Sequence, residues 1–284
     1  MTTVPARRLS STRAGVTGYW TATAILGAEC IGGGVMGALR LPPFIGTATD
    51  LGYPAYFMTI LGIWYISAGL VLLAPGLPRL KEWAYAGLVF NYTGAAASHI
   101  WVGDGFDKLA GPLFFIALTA ASWALRPHAR RDFPSVTTGS PRSRTVAYWI
   151  ATLLVAAELA VGGVWDLLRT DYVRNLVEHL GYPTYLLTIM GIWKVSGAVA
   201  LLIPGFQRLK EWAYAGAAIT YVCATASHLT VGDRFAAIVA PTALLTLTLA
   251  SWGLRPPSSG GVQFRKSDVG SDAYLGDHEH RQYR

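Results

Sequence analysis

Apolar residues in this chain run in long blocks instead of alternating with polar ones. Polar positions are few within 17–39, 54–73, 82–102 and 109–125, and each block approaches the about 20 residues a helix needs to cross roughly 30 Å of hydrocarbon. Four further blocks open at residues 146, 183, 211 and 236. The pattern predicts eight transmembrane helices and an all-α membrane protein.

The second four blocks copy the first. Leu51-Gly52-Tyr53-Pro54 returns as Leu180-Gly181-Tyr182-Pro183, an offset of 129 (180 − 51). The segment from Arg79 to Gly87 returns unchanged from Arg208 to Gly216, and Tyr19-Trp20, Glu29, Ser98-His99 and Gly103-Asp104 all recur in the same register. Such self-similarity identifies a tandem duplication. The chain divides into an arm (1–16), a first four-helix unit (17–127), a linker (128–145), a second unit (146–256) and a tail (257–284). The first block is not expected to be a cleaved leader, because its copy lies in mid-chain and Glu29 sits at its centre. Four crossings per unit is an even number, so the units are parallel repeats about an axis along the membrane normal.

Composition agrees with a membrane protein. Hydrophobic residues make up 52% of the chain and charged ones 14%, against about 25% charged in soluble domains. The net charge of +7 would point to nucleic acid in a soluble protein, but most basic residues here flank apolar blocks and read as topology signals. Arg7, Arg8, Arg13, Arg79, Lys81, the basic linker, Arg208, Lys210 and the tail lie on one side; Arg40, Lys108, Arg169, Arg174 and Arg234 lie on the other. Both termini are therefore expected in the cytoplasm, and the linker and tail, rich in Arg, Ser, Gly and Pro, are expected to be solvated and the tail disordered. Cys30 and Cys223 sit in apolar runs without a CxxC pair, which leaves no basis for thiol–disulfide chemistry by this chain alone.

The LGYP turn, the Pro-Gly-x-x-Arg-Leu-Lys-Glu-Trp-Ala-Tyr-Ala-Gly segment, the Ser-His-x-x-x-Gly-Asp ending and the Ser-Trp-x-Leu-Arg-Pro stop occur in both units. On these motifs the sequence resembles the DoxX-like family of four-helix membrane proteins. The resemblance implies a bacterial inner-membrane protein; some relatives are associated with sulfur, thiol or quinone redox systems and most have no established activity, so no independent catalytic activity is expected of the chain unless as a subunit of a membrane oxidoreductase. The second unit is closer to the family pattern, carrying Asp166 and Lys194 where the first has Gly37 and Tyr65.

Glu29 and Glu158 are the most informative residues, since an intramembrane carboxyl must find a partner or neutralise. Counting 1.5 Å per residue puts Glu158 and Lys194 at similar depth on adjacent antiparallel helices, so a Glu158–Lys194 ion pair is expected. That pair reads either as a fixture of helix packing or as a proton-relay or quinone-headgroup site, for which Asp166 is a further candidate residue. Glu29 faces Tyr65 and is expected to be protonated and hydrogen-bonded to it or to a backbone carbonyl. Near the other membrane face, His99 and His228 precede Asp104 and Asp233 by five residues. These four residues form a candidate outer-face site: the histidine pair reads either as ligands of a haem or metal ion or, as one histidine per unit without nearby soft ligands favours, as interfacial residues suited to the negative ends of their helix dipoles.

Lys81 and Lys210 are expected to snorkel toward lipid phosphate, while Glu82 and Glu211 suit helix N-termini. The stripe Gly87, Asn91, Ala95, Ser98 and its copy should let helices approach closely. Val173, Leu176, Val177 and Leu180 mark an interfacial helix that Pro42 and Pro43 disrupt in the first unit. Three functions remain: a membrane component of a redox or quinone-linked assembly with an oxidoreductase partner, a proton-coupled or small-solute transporter, and a structural or receptor-like scaffold. A homo-oligomer is compatible with each.

Overall fold

A computed structural model describes residues 13–127 and 141–256. The arm, most of the linker and the tail, with their expected solvation and disorder, lie outside the described residues. Within them the chain is helical, without strands. The first unit comprises α1 (Arg13–Ala38), α2 (Phe44–Asp50), α3 (Ala55–Leu73), α4 (Pro78–Val102) and α5 (Phe106–Leu125). The second repeats it as α6 (Arg142–Leu168), α7 (Asp171–His179), α8 (Leu186–Leu202), α9 (Gln207–Thr230) and α10 (Phe235–Leu254).

All eight long helices of the sequence reading are present. Five of them, α1, α3, α5, α6 and α10, are long and apolar enough by themselves to cross a membrane. α8 is apolar but shorter, and α4 and α9 carry the charged Arg-Leu-Lys-Glu start within their first turns. That charge is tolerable because α4 and α9 pack against each other at the centre, flanked by α5 and α10. Each unit closes as a ring of four, α1–α3–α4–α5 and α6–α8–α9–α10. Outward faces carry large apolar side chains, among them Ile63, Leu70, Phe114, Ile150 and Leu154, as contact with a lipid bilayer requires.

Glycine sets the spacing within each ring. A Cβ added to Gly34 would lie 2.9 Å from the Gly62 carbonyl oxygen, and one added to Gly163 would lie 2.9 Å from Lys194 Cβ. The α1–α3 and α6–α8 pairs therefore pack nearly backbone to backbone, the small-residue contact expected between helices in lipid. At the centre the glycines of the predicted stripe instead seat side chains of the facing helix, Gly216 the Phe90 ring and Gly87 the tip of Ile219. Two of its polar members have specific partners: Asn91 donates to Tyr65, and Ser98 bonds Tyr53 at 2.9 Å.

The short connecting helix survives in both units. Pro42 and Pro43 shorten it to the 7 residues of α2 instead of abolishing it, with Pro43 as the N-cap. Proline is tolerated there because the first N–H groups of a helix have no intrahelical acceptor.

Two sets of reciprocal bonds hold the units together. At the basic face, Glu82 accepts Trp123 Nε1 at 3.0 Å, Trp212 Nε1 at 3.0 Å and the Arg126 guanidinium. Glu211 accepts Trp252 Nε1 at 2.8 Å, Trp83 Nε1 at 2.9 Å and the Arg255 guanidinium. Trp212 and Trp83 each reach across from the other unit. Lys81 and Lys210 do not snorkel; both are buried and donate to the Leu72 and Leu201 carbonyls at 2.6 and 2.7 Å, where the last carbonyls of α3 and α8 lack intrahelical partners. Lys81, Lys210, Arg126 and Arg255 thus serve the interior, while Arg13, Arg79, Arg142, Arg144 and Arg208 remain exposed on that face. At the opposite face the two LGYP turns meet. Tyr56 OH donates to the Leu180 carbonyl at 2.6 Å and Tyr185 OH to the Leu51 carbonyl at 2.7 Å. Gly52 faces Pro183 and Gly181 faces Pro54.

Candidate functional site

In the second unit Lys194 Nζ lies 2.8 Å from Asp166 Oδ2. Glu158 accepts a hydrogen bond from Tyr221 OH. The expected Glu158–Lys194 ion pair does not form among the described residues; Asp166 is the lysine's partner. Helix direction explains this. Side chains lean toward the N-terminus of their own helix. α8 begins at the LGYP face, so Lys194 leans toward that face, while α6 begins at the basic face and Glu158 leans the other way. Asp166, two turns further along α6, meets the ammonium. Glu158 remains nearby all the same: from the point where a Gly162 side chain would begin, Glu158 Oε1 is 3.1 Å away and Lys194 Nζ 3.7 Å away.

The first unit keeps the carboxyl and changes its surroundings. Glu29 Oε2 accepts Tyr92 OH at 2.6 Å, so its partner is Tyr92 and not Tyr65, whose hydroxyl is engaged by Asn91. Tyr92 and Tyr65 meet edge to face, their rings 6.0 Å apart. A phenol at position 65 cannot supply a cation, and Gly37 cannot supply the second carboxylate. At Gly33, the copy of Gly162, the tip of the Phe44 ring lies 3.2 Å from the corresponding point, where the second unit has the lysine ammonium in reach. Tyr92 and Tyr221 were not singled out in the sequence. Their signal was the repeat itself, since each stands 63 residues after its glutamate.

These groups line one cavity of about 1400 Å³ between the units, to which Glu29, Tyr65, Glu158, Asp166 and Lys194 all contribute. Its walls are mostly apolar, built from residues such as Trp64, Phe90, Phe115, Trp193 and Leu244. Cys30 is buried and Cys223 partly so; neither is bonded to the other.

The histidines stand at the far end. His99 Nδ1 bonds Asp104 Oδ2 at 2.7 Å, and His228 Nδ1 bonds Asp233 Oδ2 at 2.6 Å. His179, at the end of α7, adds a third contact, Nε2 to Asp233 Oδ1 at 2.7 Å. In the first unit Asp50 occupies the position of His179. The bonds from His228 and His179 hold the Asp233 carboxyl below its ordinary range. Among the described residues no group of three or more His, Cys, Asp or Glu is gathered to hold a metal ion.

Comparison with known proteins agrees with the duplicated architecture. The model of the DoxX-like family matches residues 21–122 and again residues 150–251, the same register found within the sequence. No curated protein and no solved structure matches the chain.

Proposed function

The chain belongs to the DoxX-like family as two of its units in one polypeptide, and from that premise we propose that it is a membrane component of a quinone-linked redox assembly, holding a lipid-phase ligand for an oxidoreductase partner. The observation that carries this reading is the cavity: a large, mostly apolar space between membrane helices that is lined by Tyr221, Glu158, Lys194 and Asp166, with Asp107, Lys108, His99 and His228 further toward the LGYP face. Such a space suits a ligand with an apolar body and a polar head. Tyr221, Glu158 and Lys194 offer hydroxyl, carboxyl and ammonium groups to that head. A carrier of hydrophilic solutes would need polar walls to replace water along the path, and these walls are mostly apolar.

The site belongs to the second unit, because at the repeat-equivalent positions only that unit has a lysine and a second carboxylate beside the repeated glutamate and tyrosine. The protein resides in the bacterial inner membrane with both termini in the cytoplasm, a reading that rests on the basic residues of the arm, linker and tail, since the exposed basic residues of the described part are nearly balanced, Arg13, Arg79, Arg142, Arg144 and Arg208 against Arg40, Lys108, Arg174 and Arg234. Phosphatase fused at Arg284 should be inactive and a fluorescent protein there should glow; active phosphatase would reverse the orientation.

Binding of a short-chain quinone analogue to the purified chain in lipid nanodiscs tests the main reading. Saturable binding weakened about tenfold by Lys194→Met supports it, and no binding removes it. One observation favours a proton-coupled transporter as the second reading: Glu29 and Glu158 both open into the same cavity. Proton flux in proteoliposomes that depends on either carboxyl, without quinone binding, would put that reading first.

A further inference from the structure

The cavity does not end at the helix walls. Ser67 on α3 and Ser196 on α8 both line it, and both are exposed. Ser67 stands one turn from Ile63 and from Leu70, and Ser196 one turn from Ile192 and from Val199, four exposed apolar side chains of the outward face. A residue that belongs both to a lipid-facing stripe and to the cavity wall marks a place where the cavity opens sideways into the bilayer. Leu80 and Leu209, in the first turns of α4 and α9, also line the cavity and are also exposed. The openings therefore extend toward the basic face.

Their walls suit a hydrocarbon chain. Ala68, Val71 and Ala84 line this stretch of the cavity in the first unit, and Gly197, Ala200 and Ala213 line it in the second. These are small, apolar side chains that leave room for a tail without offering it a polar group. Where the openings approach the basic face, the exposed charge has one sign. Among the described residues that face holds two carboxylates, Glu82 and Glu211, both buried and each bonded to an arginine of its own unit. Arg79 and Arg208, the residues immediately before Leu80 and Leu209, are exposed.

We infer that each opening is a binding site for an anionic phospholipid, with an acyl chain in the opening and the phosphate against Arg79 or Arg208. The apolar wall selects a lipid over a soluble anion, and the arginine selects the class of lipid. One basic residue near the membrane surface favours an anionic headgroup by about fivefold, and no exposed carboxylate stands among the described residues of that face to repel it. Two sites per chain follow from the repeat, because the serine, the leucine and the arginine are identical in the two units. In this the openings differ from the centre of the cavity, where the polar groups of the two units diverge, and the proposal does not depend on what the centre holds.

Native mass spectrometry of the full chain in detergent, stripped of lipid and titrated with dioleoylphosphatidylglycerol, tests the assignment. Two molecules should be retained, each about fivefold more tightly than dioleoylphosphatidylcholine, and millimolar inorganic phosphate should not displace them. Arg79→Gln combined with Arg208→Gln should abolish the preference between the two lipids, and the corresponding pair of lysine substitutions should restore it. Ser67→Trp combined with Ser196→Trp, which fills the openings from exposed positions, should weaken retention of both lipids. Equal retention of the two lipids by the parent chain overturns the proposal, as does a preference that survives the glutamine pair or is not restored by the lysine pair. Displacement by phosphate, or retention unchanged by the tryptophan pair, removes the openings as the seat of the lipid. None of these readings uses a quinone, so they stand or fall separately from the binding experiment above.

Discussion

Glu82 and Glu211 have the same surroundings, two indoles and a guanidinium each, with one indole taken from the opposite unit. Glu29 and Glu158, further along the bundle, share a tyrosine and little else: one faces Phe44 and Tyr65, the other a lysine with its own aspartate. The contrast separates assembly from chemistry. Where the units join, each glutamate takes one of its three donors from the opposite unit, so altering Trp83 or Trp212 in one copy would remove a donor from the buried carboxylate of the other. Where they line the cavity, each unit's polar groups are satisfied within that unit, and one copy can change without disturbing the other.

The largest expected effect comes from breaking the symmetric region. Glu82→Gln and Glu211→Gln each leave a buried guanidinium without its carboxylate, a loss of about 3–5 kcal/mol when one partner of a buried pair is removed. Thermal unfolding in detergent should show the two variants equally destabilised. Unequal losses would mean that the basic face is less symmetric in energy than in geometry.

The asymmetric region should respond unequally. Asp166→Asn and Lys194→Met should each cost about 1–3 kcal/mol, with a double variant less destabilised than the sum, because removing both partners leaves no unpaired group. Tyr65→Phe in the first unit should cost about 1 kcal/mol, the net worth of one hydrogen bond. Additivity between Asp166 and Lys194 in a double-mutant cycle would deny their contact.

The difference between the units can also be erased. Gly37→Asp with Tyr65→Lys, together with Phe44→Val to match Val173, rebuilds the second-unit set in the first. Quinone-analogue stoichiometry should then rise from one toward two per chain by titration calorimetry, and a stoichiometry still at one would show that these three positions do not account for the asymmetry.

The smallest effect concerns the outer ends of α7 and α2. The Asp233 carboxyl is held below its ordinary value by His228 and His179, so its contribution is present above the unfolded value of about 3.9 and is lost as pH falls through the depressed folded value. Hydrogen exchange across α7 should accelerate over that acid range, while α2, with Asp50 in place of His179, should not respond to the same step.

Much of this protein was legible in its sequence. Block length and composition determine helix number because lipid leaves the backbone no partners except its own. The fixed offset determines two like units, and it marks Tyr92 with Tyr221 and Trp83 with Trp212 as repeated residues before any contact is known. The identities of Glu29, Glu158, Asp166 and Lys194 name the polar groups that must be satisfied. Tertiary structure alone decided who satisfies whom. Depth counting placed Glu158 beside Lys194, but it ignores the lean of side chains toward their helix N-termini, and on antiparallel helices that lean sends the two apart and delivers the ammonium to Asp166. Lys81 and Lys210 looked like membrane-surface residues because nothing in a linear sequence shows that the preceding helix ends with free carbonyls within reach. The indoles that cross between units were invisible for a similar reason: a partner 128 or 130 residues away is set by how two bundles dock, and the docking depends on the packing of α4 against α9 as whole surfaces.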